Sequence, residues 1–371
     1  MKKRILFITQ DLARTGSEVM LWYLFRNLDP LQYAIAVFCL RKGELYDVLP
    51  EHVKKNIGYK SSPSWFDRTF RRILKIFGID PFAYQLNKIQ EVFKADIWYI
   101  NTIAIPDAFV VGKRMGVKTV IHIHELLNAF SLISRKAMKR IVADSDVCIG
   151  CSDMVCDAIS ALGHRDIRLQ HSFLDTDTIL VDQERVVRIR QELGILPTDF
   201  VWVVAGGALY MKGLDYVLSV LAHFKDEPVK LVWIGARFDN GLDFYIEKVA
   251  QLKYPGKLIF TGPQSADYYN YMSMAKGMLL LSREESFSLV MVEAAYLGIP
   301  VVAFNVGIAK QFLKPGMGVV VDNGDIGSLI SEIRHLNANP ELSNPAISKE
   351  NAMLYSATKQ LPKFEALFST L

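Results

Sequence analysis

Short apolar runs alternate with helical patterns along almost the whole chain. In the first half these runs are RILFIT (4–9), YAIAVFCL (33–40), DIWYIN (96–101), KTVIHI (118–123) and DVCIG (146–150). In the second half they are FVWVVAG (200–206), VKLVWIG (229–235), KLIFTG (257–262), GMLLLS (277–282), IPVVAF (299–304) and MGVVVD (317–322). This alternation is typical of parallel strands connected by helices. The sequence therefore predicts an α/β fold built on two doubly wound sheets.

Chain length and one polar segment divide the predicted strands between two domains. The chain has 371 residues, and a single hydrophobic core stops growing at about 250 to 300 residues. The segment HSFLDTDTILVDQE (171–184) shows no apolar periodicity, which indicates a linker. We therefore predict an N-terminal domain over residues 1–175 and a C-terminal domain over residues 176–349.

Cysteine content and hydropathy indicate the cellular compartment. Four cysteines at irregular spacing do not form a disulfide framework, which favours a reducing environment. The apolar stretch that follows MKKR is too short for a signal peptide, and no run reaches the ~18 apolar residues of a spanning helix. We therefore expect a cytoplasmic protein that contacts the inner face of the cell membrane if it contacts a membrane at all.

The segment SWFDRTFRRILKIFG (64–78) predicts an amphipathic helix that is both basic and aromatic. Residues 1–175 contain 25 basic and 18 acidic residues, a net charge of +7, and nine of the basic residues lie between Lys54 and Lys94. Such a helix can lie on an anionic membrane, and a helix that covers the first sheet has the same pattern. Both interpretations stand. The pattern does not continue along the chain, so nucleic acid is not an expected partner.

The stretch SREESFSLVMVEAAYLGIPVV (282–302) places one carboxylate, Glu293, in an otherwise apolar helix. A buried carboxylate requires hydrogen-bond donors, and the start of the same helix, Ser288–Val290, presents backbone N–H groups suited to phosphate. Glu285 lies on the other side of that helix start. A ligand with an anionic centre and hydroxyls at both ends, such as a nucleotide diphosphate sugar, matches this arrangement. Pairing of Glu293 with a structural Arg or Lys is the alternative.

Several motifs together resemble glycosyltransferase family 4, the retaining glycosyltransferases of the GT-B fold. The first is EESFSLVMVEAAYLGIPVVAF (284–304), in which seven residues separate Glu285 from Glu293. The other motifs are RTGSEVMLWYL, VIHIHEL, HSFLDTDT and GGALYMKGLDYVL. They precede the first motif in the chain, and their order is the one expected of that family. The resemblance implies two Rossmann-like domains facing a cleft, with acceptor binding in the first domain and donor binding in the second. It also implies a C-terminal helix, about 350–371, that packs back on the first domain.

The resemblance also implies a role for each matching residue. Lys212 is expected to neutralise the diphosphate, Glu285 to bind the hydroxyls of the sugar and His124 to contact the acceptor or the transferring sugar; these are the predicted catalytic residues. At His124 the alternative is a histidine that satisfies a backbone carbonyl. The predicted donor-binding set is Gly16, Gly206, Gly207, Lys212, Arg237, Glu285, Ser286, Phe287, Ser288, Leu289, Val290 and Glu293.

The chain departs from the family pattern at two positions. Gly207 stands where an Arg usually precedes the Lys by five residues, and Ser286 stands where Gly is common. Arg237 or Arg283 is the expected substitute for the missing cation. Two Asp-x-Asp strings lie at a helix-to-strand connection and in the linker, outside the predicted site, so we predict no metal and no cofactor.

The function implied by the resemblance is sugar transfer with retention at the anomeric carbon. The expected partners are a nucleotide diphosphate sugar donor and a glycan or lipid-linked acceptor, as in bacterial surface polysaccharide biosynthesis. Two alternatives remain: a non-catalytic subunit that binds a sugar nucleotide or glycan, and a sugar-nucleotide epimerase on the same scaffold.

Overall fold

The chain forms two α/β units, each built on one parallel sheet. The computed structural model describes residues 2–371. The first unit runs to Phe173 and also includes Ala357–Leu371, and the second comprises Leu174–Ser356.

The sheet of the first unit has seven strands in the order β3-β2-β1-β4-β5-β6-β7, all parallel. Its strands are β1 (Lys3–Thr9), β2 (Tyr33–Cys39), β3 (Lys54–Ile57), β4 (Ile97–Ile100), β5 (Lys118–Ile123), β6 (Val147–Gly150) and β7 (Ile167–Leu169). Its helices are α1 (Gly16–Asn27), α2 (Trp65–Ile76), α3 (Pro81–Phe93), α4 (Asp107–Arg114), α5 (Leu127–Phe130), α6 (Arg135–Asp144) and α7 (Asp153–Ala161).

The sheet of the second unit has six parallel strands in the order β10-β9-β8-β11-β12-β13. They are β8 (Phe200–Ala205), β9 (Val229–Ile234), β10 (Leu258–Gly262), β11 (Gly277–Leu280), β12 (Val301–Phe304) and β13 (Gly318–Val321). The helices are α8 (Gln183–Glu192), α9 (Tyr216–His223), α10 (Gly241–Lys253), α11 (Tyr268–Ser273), α12 (Leu289–Tyr296), α13 (Ala309–Phe312), α14 (Ile326–Ala338) and α15 (Pro345–Met353).

The last helix, α16 (Ala357–Thr370), belongs to the first unit although it follows the second in sequence. Phe364 and Phe368 are fully buried in it. The Phe368 ring packs edge-on against Phe7 of β1 at 6.4 Å, and the Phe364 ring packs against Phe173 at 5.8 Å. Two buried aromatic rings fix the helix on this core, because burying each contributes about 1.5–3 kcal/mol.

The central strands of both sheets are buried on both faces, as is typical of parallel sheets. In β1 every residue from Ile5 to Thr9 is inaccessible to solvent, and β8, β11 and β12 are nearly as buried. Polar side chains that lie near the ends of these strands therefore collect in the loops at the carboxyl edge of each sheet. Ligands bind at that edge in open parallel sheets, so a functional site is expected at the carboxyl edge of each sheet.

Candidate functional site

The predicted donor residues of the second unit lie in loops at the carboxyl edge of its sheet and in α12. Gly206 and Gly207 follow β8, Lys212 closes the short helix Tyr210–Lys212, and Glu285 lies in the loop between β11 and α12. The structure brings Lys212 and Glu285 into contact: Nζ of Lys212 donates to Oε1 of Glu285 at 2.5 Å. Ser282 donates its hydroxyl to the same oxygen at 2.6 Å. Two residues that are 73 apart in sequence thus form one polar group.

This polar group remains accessible to a ligand on one side. The Lys212 side chain is 34% exposed and that of Glu285 is 10% exposed. The ammonium group has three N–H donors, and its hydrogen bond to Glu285 engages only one of them. The remaining donors can bind an anion while Glu285 fixes the position of the lysine.

Glu293 lies in α12 and is buried, with 4% of its surface exposed. Its carboxylate accepts a hydrogen bond from the Tyr268 hydroxyl at 2.9 Å and another from the Tyr269 hydroxyl at 3.1 Å. Both tyrosines belong to α11. Two hydroxyl groups therefore donate to this carboxylate, the same chemistry that a ribose diol presents.

The start of α12 has an unusual backbone. Ser288 precedes the helix in the left-handed conformation, with φ 77° and ψ 76°, and its side chain makes no capping hydrogen bond. Ser288 is buried, and among the described residues its hydroxyl oxygen has no hydrogen-bond partner. The first N–H groups of a helix also lack partners within the helix, so an unsatisfied hydroxyl and unsatisfied amides meet at one point. Phosphate oxygens are suitable acceptors for both.

Gly307 approaches this loop closely and was not identified from the sequence. A Cβ at this position would lie 3.1 Å from Cβ of Glu285 and 3.2 Å from the carbonyl oxygens of Glu285 and Phe287, and its φ is +56°. Only glycine adopts that conformation without strain. Gly307 therefore permits the packing that sets the position of the Glu285–Phe287 loop.

The space beside Gly207, where the family pattern has Arg, is occupied by an aromatic ring. A Cβ at Gly207 would lie 3.1 Å from Cε2 of Phe238, and Phe238 is 40% exposed. The preceding glycine, Gly206, has a φ of +133° and a carbonyl that accepts from the Trp233 indole at 2.8 Å. The chain therefore presents an aromatic surface at this point.

Both arginines considered as substitutes are held by carboxylates. Arg237 donates to Asp243 at 2.7 Å and to Glu247 at 2.8 Å, and these two acids raise the pKa of its guanidinium. Arg283 forms a bidentate pair with Asp215, with contacts of 2.8 and 2.6 Å. Each guanidinium keeps further N–H donors, but its charge is already paired with a carboxylate, so the place of Arg237 in the donor site stays a prediction.

In the first unit, His124 lies directly after β5 and contacts a residue that follows β4. Its Nε2 lies 3.0 Å from Oδ1 of Asn101, and the Asn101 amide nitrogen donates to the carbonyl of Ser17 at 3.3 Å. Since Asn101 presents its oxygen to the ring, Nε2 carries the proton. Desolvation lowers the pKa of His124 to about 3, so the ring is neutral at physiological pH. A neutral imidazole suits contact with uncharged hydroxyl groups.

Two acids lie near His124, the buried Glu18 and the half-buried Glu125, and neither was predicted as a site residue from the sequence. Glu125 accepts from the Thr102 hydroxyl at 2.7 Å and from the backbone N–H of His124 at 3.0 Å. Glu18 accepts from the hydroxyls of Thr15 and Ser17, the latter at 2.7 Å. Burial raises the pKa of both carboxyls. The predicted site residue Gly16 starts α1 beside Glu18, and no atom lies within 4 Å of the point where its Cβ would be.

The described residues contain no cluster of three or more His, Cys, Asp or Glu side chains with the geometry of a metal site. The acids of the first Asp-x-Asp string have other partners: Asp144 pairs with Lys113 at 2.7 Å, and Asp146 accepts from the backbone of Thr119 at 2.7 Å. Asp175 of the second string accepts from the backbone N–H of Asp177 in the turn that follows.

Two glycosyltransferase family models match separate parts of this chain. Residues 187–353 match the family model described as glycosyl transferases group 1, and residues 14–178 match that of glycosyltransferase family 4. The N-acetyl-alpha-D-glucosaminyl L-malate synthase of Bacillus anthracis is 25% identical over 314 residues, which cover 79% of this chain and 80% of that protein. The D-inositol 3-phosphate glycosyltransferase of Rhodococcus jostii is 30% identical over 149 residues, 38% of this chain and 31% of that protein.

Among solved structures, Anabaena HepE in complex with UDP and glucose superposes with a TM-score of 0.83. The identity is 18%, and the match covers 100% of both chains. This similarity confirms the predicted α/β fold with two Rossmann-like domains.

Proposed function

The chain belongs to glycosyltransferase family 4, and on this basis we propose that it is a retaining glycosyltransferase that uses a nucleotide diphosphate sugar. The observation that carries the proposal is the α12 start of the second unit. There the buried Ser288 hydroxyl has no partner among the described residues, and Glu293 is bonded by hydroxyl groups. HepE, which has the same fold, was crystallised with UDP and glucose.

The diphosphate of the donor is proposed to bind between Lys212 and the first turn of α12. Lys212 supplies a positive charge, and the amides of Leu289 and Val290 with the Ser288 hydroxyl supply neutral donors. Glu293 accepts hydrogen bonds from the ribose diol, either in place of those from the tyrosine hydroxyls or in addition to them. Glu285 accepts from hydroxyls of the sugar, and the remaining donor residues shape the loop: Gly206, Gly207, Ser286 and Phe287.

Transfer with retention is proposed to proceed without a protein nucleophile. The acceptor hydroxyl attacks the anomeric carbon from the face that the diphosphate leaves, and a phosphate oxygen takes the proton of that hydroxyl. The protein then contributes positioning and stabilisation of the departing negative charge. Lys212 and the α12 amides provide that stabilisation, and neither a metal nor a cofactor is required. His124, as a neutral imidazole, contacts a hydroxyl of the acceptor or of the transferring sugar.

Contact with the cytoplasmic face of a membrane is proposed through residues 64–78. Leu74 is the buried residue of α2, whereas Trp65 and Phe66 are 60% and 66% exposed. The helix also carries Arg68, Arg71, Arg72 and Lys75, which complement anionic lipid. No described helix is both long and apolar enough to cross a bilayer. A surface-bound enzyme of this kind suits a lipid-linked acceptor, as in bacterial surface polysaccharide biosynthesis.

A non-catalytic role is the second candidate, and the observation that favours it is the region around Gly207. Phe238 lies there, and both nearby arginines are bonded to carboxylates. A subunit with this arrangement would bind a sugar nucleotide without stabilising the leaving group fully.

The test is nucleotide release from a panel of nucleotide sugars, measured with and without lipid-linked acceptors. The expected result is release by the wild type that is lost in Lys212→Ala and Glu285→Ala and kept in Lys225→Ala, an exposed lysine outside the site. Binding without release, with every acceptor, would support the non-catalytic role. Interconversion of sugars without transfer would indicate an epimerase.

A further inference from the structure

A cavity of about 290 Å³ lies at the carboxyl edge of the first sheet, where β1, β2 and β3 end. Three cationic side chains line it, Arg41, Lys60 and Arg71, and so do the apolar side chains of Phe38, Leu40 and Phe82. No acidic residue is among its lining residues. The cavity is thus apolar on one side and positively charged on the other, and nothing in the proposed donor chemistry uses it.

The positive charge of the cavity is only partly neutralised. Arg41 pairs with Asp11 at 2.9 Å. The side chains of Lys60 and Arg71 form no ion pair or hydrogen bond with another described residue. Two unpaired cations in one concave surface match the negatively charged oxygens of a phosphate group.

The apolar side of the cavity continues onto the surface of α2. Arg71 belongs to this helix and is half-buried, with its side chain at the cavity. The adjacent Phe70 packs edge-on against Tyr59 of the cavity wall, with ring centroids 5.9 Å apart. From Phe70 the exposed apolar surface extends to Phe66, Ile73 and Phe77. An apolar chain that leaves the cavity therefore has a continuous surface to follow towards a membrane.

We propose that this cavity binds the phosphate of a lipid-linked acceptor, with the lipid chain running over α2. The inference rests on the proposed glycosyltransferase function, because it assigns the acceptor of that reaction. It identifies the acceptor class as a phosphate group that joins an apolar chain to a sugar.

The distance from the cavity to His124 limits the size of the group between them. The cavity lies beside β2, and His124 follows β5, three strands away in the sheet order. Neighbouring strands lie about 4.8 Å apart, so the separation is roughly 14 Å. One or two sugar rings span that distance, and the acceptor hydroxyl then reaches the polar group around His124.

The experiment compares ligands that share only part of this chemistry. Calorimetric titrations use farnesyl phosphate, farnesol and inorganic phosphate as probes, below the concentration at which the lipids form micelles. We expect farnesyl phosphate to bind at least about tenfold more tightly than either of the others, because only it uses both sides of the cavity. Equal binding of inorganic phosphate would indicate a free-phosphate site, and equal binding of farnesol would indicate a purely apolar pocket; both overturn the proposal.

Matched variants separate the cavity from general surface charge. Lys60→Gln/Arg71→Gln removes the unpaired cations of the cavity, and Arg72→Gln/Lys75→Gln removes the same charge from exposed positions of α2. The first pair is expected to weaken farnesyl phosphate binding about tenfold or more, and the second to leave it within about twofold. Equal losses in both pairs would overturn the proposal.

Donor binding measured on the same preparations distinguishes this inference from the proposed function. The cavity variant should keep the nucleotide affinity and the unfolding midpoint of the wild type, since neither side chain has a partner to lose. If the wild type binds farnesyl phosphate through these residues but releases no nucleotide with any donor, the proposed function fails, and the cavity is then a lipid-phosphate site that serves no transfer reaction. If transfer is observed and the cavity variant transfers as well as the wild type, the cavity assignment fails alone.

Discussion

Lys212 and Glu285 are joined by a 2.5 Å contact between Nζ and Oε1, and both are proposed to contact the donor. We therefore predict that their effects on turnover are strongly non-additive. Lys212→Ala and Glu285→Ala should each lower kcat/KM by about 10²-fold or more, since each weakens stabilisation of the reacting centre. The kcat/KM of the double variant should lie no more than about tenfold below that of the less active single variant. A double-mutant cycle of initial rates checks this, and a multiplicative loss would show that the two residues act independently.

The tyrosine pair on α11 should be linked to nucleotide binding through Glu293. Tyr269→Phe removes a donor from a buried carboxylate and should lower the free energy of unfolding by about 1–3 kcal/mol. Ribose hydroxyls would supply the lost hydrogen bond, so added nucleotide should raise the melting temperature of Tyr269→Phe more than that of the wild type. Tyr271→Phe is the control, because Tyr271 lies in the same helix and its hydroxyl makes no hydrogen bond to a described residue. Equal rises in melting temperature for the wild type and both variants would show that Glu293 does not bind the nucleotide.

Ser288 should show a trade-off between stability and binding. Its left-handed backbone is strained for a residue with a Cβ, so Ser288→Gly should raise the free energy of unfolding by about 1 kcal/mol. The same change removes the buried hydroxyl that has no partner among the described residues, and donor affinity should fall. Urea unfolding and nucleotide titration measure the two effects. A variant with unchanged affinity would show that the hydroxyl does not bind the phosphate.

Glu18 should make the first unit less stable as the pH rises. Burial raises the pKa of its carboxyl in the folded state above its ordinary value of 4.5. Between 4.5 and the raised value the folded state therefore binds more protons than the unfolded state, and stability falls as the pH increases through this window. Glu18→Gln cannot ionise and should flatten that dependence. Urea unfolding at intervals from pH 4.5 to 8 tests this, with Glu44→Gln, an exposed glutamate of the same unit, as the control. An unchanged slope in Glu18→Gln would contradict the assignment.

The sequence predicted the fold well because parallel strands are buried on both faces and appear as apolar runs. All six strands of the second sheet were found in this way, and five of the seven in the first. The two missed strands are edge strands: β3 has the sequence KKNI and β7 has three residues, IRL, so neither forms an apolar run. These segments are extended because each pairs with a neighbouring strand. A local sequence pattern does not show such pairing.

The site was only partly predictable, for a related reason. The stretch around Glu285 and Glu293 has its own sequence pattern, and Glu293 is buried as expected. Its partners Tyr268 and Tyr269 come from another helix, and Gly307 comes from the loop after β12. These contacts depend on how separate elements pack, and no spacing in the sequence specifies them. The placement of Glu18 and Glu125 at the first sheet has the same origin.

The central claim is that the nucleotide of the donor binds at Glu293. The most direct measurement is a calorimetric titration of the wild type and Glu293→Gln with the nucleoside diphosphate of the active donor. We predict that the wild type binds and that the variant, which keeps the shape of the side chain but loses its charge, binds about tenfold or more weakly. Equal affinity of the two proteins, or no binding of any nucleoside diphosphate by the wild type, would contradict the account.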